Sequence, residues 1–480
     1  MNNRLRAVRV AALVLAGWGG LLLSPGSQAR ARISPFVDDG VVADAQGPPE
    51  PGVRRSRLTA VDVGALEAQD ARRGNWAARQ PAISFEVFPD VYIVAVFDRF
   101  EASPAGRVWV GHVEDEPDGH VTLVYGNGLL TGSISSRRGT FQIRPAGETA
   151  ASSTSRPASQ IHVIRDVDLS ALPKEAEPVD VRLSADALDA ASPVPAGDPA
   201  PVIDVMVVYT PTARASAGGA QAIEQLIALG LSETNASYAN SGINQRVRLV
   251  HAAPVAYTES NDFGANLSDL RTGAGALDGV AALRDRYGAD LVMMLVHPPS
   301  PSACGIAYVM TTVSTAFAPF GYSVVDTSCV SPNYTMAHEW GHNMGAQHDW
   351  YVTRAVVPYT YAHGYVNPTT GQRWRTVMAY NDHCSALGFT CRRLLAWANS
   401  ARYYNPYCEG GMFVCATNLW YLPGEATGIA PGTRSTCVTG NVADTRCDAD
   451  DRLVLNNTAA TVAALRNTAA ASLPGARDRP

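Results

Sequence analysis

The stretch from His338 to Asp349 carries the densest chemistry in the chain: His338, Glu339, His342, Gly345, His348 and Asp349 fall in the spacing HExxHxxGxxHD. Three neutral imidazoles that reach one point can hold a metal ion and leave its fourth position open to water, which is the arrangement of a catalytic zinc. A structural zinc closes all four positions with protein ligands, often cysteine, and no cysteine lies near this stretch. Glu339, beside the first imidazole, is placed to take a proton from an attacking water and pass it to a leaving group. Six fixed residues at roughly one in twenty each coincide by chance about once in 10^7 to 10^8 starting positions. Ordinary surface or core histidines are therefore the weaker reading.

The spacing dictates the elements that must position these side chains. On a helix His338 and His342 share a face, being four residues apart. Six further residues at about 100° each would turn His348 roughly 120° away from His342, so the helix has to break before it. Gly345 stands where a left-handed residue could end the helix and double the chain back. Ser331 as N-cap and Pro332 as first helical residue are the expected start.

This pattern, followed by Trp374-Arg375-Thr376-Val377-Met378-Ala379-Tyr380, resembles the metzincin metallopeptidases, which pair HExxHxxGxxH with a downstream Met-turn. The resemblance implies a mixed α/β (α+β) catalytic domain, a twisted sheet with a zinc-binding helix and a Met-turn. One catalytic Zn2+ would be held by His338, His342 and His348, with Met378 as an apolar floor that does not ligate. Generic core packing is the other reading of Met378. His348-Asp349 is similar to the adamalysin (reprolysin) branch, and Asp349 is expected to orient its surroundings by hydrogen bonds. Met378-Ala379-Tyr380 is similar instead to the Met-x-Tyr of astacins and serralysins, where the tyrosine reaches the metal or the oxyanion; simple packing stands beside that role for Tyr380. Val202–Thr210, the segment from Glu233 to Ile243, and Trp374–Tyr380 look like the bacterial peptidyl-Asp metalloendopeptidases. That group cuts on the amino side of aspartate or related acidic residues.

Gly305-Ile306-Ala307-Tyr308-Val309 resembles the edge strand on which metzincins pair extended substrates, holding them by main-chain hydrogen bonds. Beyond the Met-turn, Arg392, Arg393 and Asn405-Pro406 fall where the wall of the pocket for the residue after the cut is expected. Arg373, Arg375, Arg392 and Arg393 are the candidates for pairing with a substrate carboxylate, against the commoner role of a solvated or structural arginine.

Residues 1–31 read as a signal peptide: Arg4, Arg6 and Arg9 precede the short apolar run Val10–Leu23, and Ala29-Arg30-Ala31 fits a cleavage site. No second segment of membrane-spanning length follows, so a secreted or periplasmic protein free of the membrane after signal removal is expected. The eight cysteines, all from Cys304 onward, agree with an oxidising compartment. Cys384 with Cys391 and Cys437 with Cys447 are the simplest pairs, although spacing alone leaves the connectivity open. A formal charge of −6 argues against nucleic acid as a partner. Whether a structural calcium is bound is left open by the sequence, and a monomer is expected.

Residues 32–165 read as an all-β propeptide that would inhibit the enzyme. Period-two alternation runs through Val91–Phe97, Arg107–Val113, Val121–Tyr125, Ser133–Ser135 and Thr140–Arg144, with Asp118-Gly119 and Arg138-Gly139 as turn signals. His112, His120 and His162 read as solvated or packed histidines. No cysteine precedes Cys304, which excludes a cysteine latch from this region to the metal. Residues 166–200, rich in Ala, Pro, Asp and Ser, have the composition of an exposed linker that carries the maturation site, with Asp186, Asp189 and Asp198 as self-cleavage points. Residues 201–470 form the expected catalytic domain with a disulfide-rich C-terminal part, and 471–480 a frayed tail. Within it, strands are expected at Val202–Tyr209, Arg246–His251 and Asp290–Val296, helices at Ala220–Asn240, Leu267–Tyr287 with an interruption, and Asn457–Arg466.

The reading is a secreted zinc endopeptidase made as a zymogen and acting on proteins or peptides. A secreted binding or adhesion protein that retains a non-catalytic domain of this type is the alternative from another class, and Glu339 speaks against it, since a decayed site has no need of a base. A zinc hydrolase of non-peptide bonds fits an edge strand less well.

Overall fold

Alternating apolar residues between Val53 and Val167 supply eight strands of a ten-stranded sheet, completed by Arg32–Ile33 and Phe36–Val37, in the structure, a computed structural model that describes residues 32–37, 50–71, 82–147, 161–191, 200–369, 373–404 and 425–466. The expected signal segment, the C-terminal tail, Asn405-Pro406, Cys408 and Cys415 lie outside the described residues. Each strand from Ala82–Phe88 to Ile161–Val167 pairs antiparallel with the next, and Val53–Val61 closes against Ile161–Val167. Only Arg32–Ile33 joins in parallel. The inward face buries Phe85, Trp109, Leu123, Tyr125 and Phe141 in a core of its own, which makes this front part a domain separate from the one carrying the histidines.

Two turn signals fared differently. Arg138 and Gly139 do lie at the turn between Leu129–Ser136 and Gly139–Pro145. Asp118-Gly119 instead lies inside the strand Glu116–Gly126, and the hairpin turns earlier, at Glu114-Asp115, with Asp115 at φ 61. Asp118 is buried and has a long-range task that local sequence does not reveal: it accepts hydrogen bonds from Arg392 and, at 2.7 Å, from the Tyr404 hydroxyl of the second domain.

The second domain is a mixed α/β unit. Its sheet orders Val179–Asp180, Gly305–Val309, Tyr322–Asp326, Leu291–Val296, Val202–Tyr209 and Arg246–Pro254. All pairings are parallel except that between Gly305–Val309 and Tyr322–Asp326. Val202–Tyr209 and Leu291–Val296 are almost wholly apolar because the sheet is covered on both faces. The helix Ala220–Ser241 packs on it, and the expected interrupted helical stretch resolves into Phe263–Thr272 and Val280–Tyr287. The closing helix runs Asp451–Val462, earlier than expected, since Asp450 caps it by accepting the Leu453 N–H at 3.0 Å.

Three disulfides are present among the described residues: Cys384–Cys391, Cys437–Cys447 and Cys304–Cys329. The last ties the start of the Gly305–Val309 strand to the loop that leads into the histidine-bearing helix.

The segment expected to be an exposed linker is, in its first half, nothing of the kind. Residues 166–181 leave the front sheet and lie along the second domain, with Leu172, Glu175 and Val181 buried. The composition is that of a linker, but an extended chain can satisfy its backbone on an open sheet edge, and Val179–Asp180 does so by pairing with Tyr308 and Val309. Gly305–Val309, expected as the edge, is therefore covered by a piece of the same chain.

Candidate metal centre

The helix Thr335–Asn343 presents His338 and His342 on one face. It starts later than Ser331-Pro332 would have it. The Ser331 hydroxyl is committed to the buried carboxylate of Glu233, at 2.8 Å, so it caps nothing, and Tyr334 occupies the capping position in a left-handed conformation, φ 62. At the other end Gly345 breaks the helix at φ 95, with the Gly345 N–H on the His342 carbonyl and the Ala346 N–H on that of Gly341. The chain doubles back and delivers His348.

The three Nε2 atoms converge: His348 Nε2 is 3.2 Å from that of His338 and 3.1 Å from that of His342. All three rings are buried. His338 Nδ1 faces the Val377 carbonyl at 2.9 Å and His342 Nδ1 faces the Ala346 carbonyl at 2.8 Å. The Ala346 carbonyl needs a proton on His342 Nδ1, which leaves a lone pair on its inward Nε2; His338 Nδ1 meets both the Val377 carbonyl and the Arg393 guanidinium. Ring nitrogens crowded at hydrogen-bond distance call for a cation between them, and the donor set fits a metal ion. Burial keeps both rings neutral, with the His338 pKa pushed down to about 3 and that of His342 well below its usual value.

Glu339 lies next to this cluster, fully buried, and neither carboxylate oxygen has a partner among the described residues. Burial, and then the charge of Glu175, push its pKa well up. The strand Gly305–Val309 passes so close that a Cβ on Gly305 would lie 2.5 Å from Glu339 Oε1. Ile306 and Ala307 continue that strand past the site, paired on their far side with Val324 and Ser323.

Beneath the histidines, Met378 is fully buried in the same apolar cluster as Trp340 and Trp397. Asp349 Oδ2 accepts the Tyr380 N–H and Oδ1 the Tyr351 N–H, at 2.8 and 3.1 Å. The Tyr380 ring lies against His348, with centroids 4.1 Å apart, and its hydroxyl donates to the main-chain carbonyl of Glu175.

The four arginines part company. Arg373 lies over the Phe389 ring at 4.0 Å, and Arg392 is bound by Asp118 and Ser135 of the front domain. Neither reaches the histidines. Arg393 is buried behind His338, with Nη2 2.8 Å from His338 Nδ1, and Nη1 donates to Glu175 Oε1 at 2.6 Å. Arg375 is buried beside it, Nη1 on the Ala379 carbonyl at 2.6 Å and Nε without a partner among the described residues. Burial lowers the Arg375 pKa to about 9, and Arg393 adds to the effect.

Glu175, Glu177 and Asn333 did not figure in the sequence reading. Glu177 Oε2 lies 3.4 Å from His348 Nδ1. The only local signal was the charged run Lys174-Glu175-Ala176-Glu177 in a stretch otherwise rich in small residues and proline. Burial alone would raise the Glu175 pKa; the Arg393 guanidinium overrides this and holds it well below the carboxylate range.

Among known proteins, a family model described as metallo-peptidase family M12 matches residues 200–389. The chain is 30% identical over 473 residues to the peptidyl-Asp metalloendopeptidase of Stenotrophomonas maltophilia (strain R551-3), covering 93% of this chain and 98% of that protein. It is 30% identical over 292 residues to the protein of that description from Xanthomonas campestris pv. campestris, covering 60% and 64%. Metalloproteinase-II from Bacteroides fragilis, a solved structure, is 13% identical with a TM-score of 0.37, covering 56% of this chain and 81% of that one.

Proposed function

Because the chain belongs to the M12 family of metallopeptidases and is a metalloendopeptidase, we propose that it hydrolyses peptide bonds with one zinc ion held by His338, His342 and His348, and that it prefers an acidic residue just after the cut. The observation that carries this is the convergence of three inward Nε2 atoms beside the unpartnered carboxylate of Glu339. Bound zinc supplies a Lewis acid that polarises the scissile carbonyl and makes water acidic enough to attack at neutral pH.

The chain's own residues do the rest. Glu339 takes the proton of the attacking water on a carboxylate oxygen and returns it to the departing amine nitrogen. Its burial favours the protonated form, which suits the second half of that exchange. The Tyr380 hydroxyl, free of its present partner, donates to the oxygen that gains negative charge. Gly305–Val309 holds an extended substrate by main-chain hydrogen bonds. Asp349 and Met378 fix the third ligand and the turn below it. The acidic preference is supported by the name peptidyl-Asp metalloendopeptidase that the Stenotrophomonas and Xanthomonas relatives carry.

The front sheet and the segment that follows it act in this reading as a propeptide inhibitor, and the protein is exported and works as a monomer outside the cytoplasm. The test uses secreted, processed material on casein. Hydrolysis should vanish with a chelator and return with zinc, and Glu339→Gln should retain zinc yet lose activity by 10²-fold or more. Sustained hydrolysis by the Gln variant would refute the assignment. The amino terminus of that material should fall within residues 166–200.

A further inference from the structure

We propose that Glu175 is a built-in stand-in for the acidic side chain of a substrate: it plugs a carboxylate pocket formed by Arg393, Arg375 and Asn333, which becomes the specificity pocket once the segment leaves. This deepens the proposed function and rests on it for the meaning of the pocket, though not for its existence.

The placement comes first. Residues 174–181 run alongside 304–311 in the position an extended substrate would take. The Cys304 N–H donates to the Lys174 carbonyl and the Ala176 N–H to the Gly305 carbonyl, both at 2.8 Å. Val179 and Asp180 pair with Tyr308 and Val309, and the Thr311 hydroxyl donates to the Val181 carbonyl. Glu175 therefore enters the cleft beside the histidines, and its carbonyl occupies the Tyr380 hydroxyl.

Its side chain is held as a recognised ligand is. Oε1 accepts from Arg393 Nη1 at 2.6 Å, and from Asn333 Nδ2 and Thr335 Oγ1 at 3.1 Å each. The other oxygens that Arg393 meets are main-chain carbonyls, those of Asn333 and Val377. Glu175 is thus the only carboxylate on this guanidinium among the described residues. A cavity of about 340 Å³ adjoins Glu175, bordered also by Asn333, Arg375 and Tyr380.

Chemistry then separates a plug from an ordinary structural ion pair. Both members of a structural pair stay in the finished protein. Here Glu175 precedes the expected self-cleavage points Asp186, Asp189 and Asp198 and Arg393 follows them, so a cut at any of these parts the two. Loss of the segment leaves the buried Arg393 guanidinium without its carboxylate, a state that strongly favours the entry of another. Arg393 Nη1, Asn333 Nδ2 and the Thr335 hydroxyl, donors fixed around one oxygen, suit a carboxylate and reject an uncharged side chain. The same pocket would both read the substrate and hold the zymogen closed.

The test needs no turnover. In the full chain carrying Glu339→Gln, Glu175→Ala is compared with Glu175 intact by thermal unfolding in acetate or succinate against chloride at equal ionic strength. The expected result is a lower Tm for Glu175→Ala, raised again by the carboxylates along a saturating curve, with no such response in the parent. Equal responses, or none, would overturn the pocket. A second measurement covers a variant that does not fold: a synthetic peptide of residues 172–181 should inhibit the processed enzyme competitively, and its Glu175→Gln version should bind at least 30-fold more weakly. Equal inhibition by the two peptides, or none by the native one, also overturns it. The carboxylate response in this chain together with no caseinolysis by the processed enzyme with Glu339 intact would refute the peptidase reading and leave the pocket standing.

Discussion

Asp349 Oδ2 accepts the main-chain N–H of Tyr380 at 2.8 Å, so the loop that delivers His348 and the turn that carries Met378 are clamped by one buried carboxylate. Its other oxygen takes the Tyr351 N–H. Asp349→Ala would strand both donors, at about 1–3 kcal/mol for each that stays buried, and would loosen the metal site. Zinc titration should show a roughly 10- to 100-fold weaker site, with a smaller loss for Asp349→Asn, which keeps one acceptor. Unchanged zinc affinity in the Ala variant would remove the clamp from the account.

Gly345→Ala tests the break in the helix. The residue sits at φ 95, and a Cβ there would lie 2.8 Å from Pro358 Cγ. Backbone strain of about 1–3 kcal/mol is expected, and since the bend is what brings His348 back, zinc content should fall with stability. Metal analysis of purified protein beside its unfolding curve reads both.

Tyr380→Phe removes one hydroxyl and keeps the ring against His348. The expected outcome in the processed enzyme is a drop in kcat of roughly 10²-fold with zinc retained and KM little changed. An unaltered kcat would leave Tyr380 with a packing role only.

Asp290 offers a pH-dependent test away from the histidines. Burial pushes its pKa up to about 7, despite hydrogen bonds from the N–H groups of Asp204 at 2.9 Å and Arg466 at 3.2 Å. The folded value lies above the unfolded one of about 3.9, so the protonated form favours folding. That contribution is present in full below pH 4 and is lost as the pH rises toward 7. Asp290→Asn should match the parent Tm near pH 4 and exceed it at pH 8, the gap opening in between. A constant gap across that range would contradict the assignment.

The parts of the fold legible in the sequence are those set by neighbours along the chain. The spacing of His338 and His342, the need for Gly345 before His348 and the buried strand Val202–Tyr209 follow from short-range geometry, and the simplest cysteine pairs, Cys384–Cys391 and Cys437–Cys447, are the ones formed although spacing left the connectivity open. What escaped was fixed by distant partners. Ser331 looks like a cap until Glu233 claims its hydroxyl, and Asp118 looks like a turn residue until Arg392 and Tyr404 claim its carboxylate. The four arginines are alike in sequence; only the folded chain sends Arg392 to the front domain and Arg393 to Glu175. The stretch after Asp166 has the composition of free coil because its order is borrowed from the sheet edge it covers.

The Cys304–Cys329 bond gives the cleft a dependence on where the chain folds. It fastens the shelf along which a substrate would lie to the loop that feeds the histidine helix, across a separation of 25 residues. Formation of that bond consumes two thiols and an oxidant, which a glutathione-rich interior withholds. A chain folded in such an interior would have an untethered shelf.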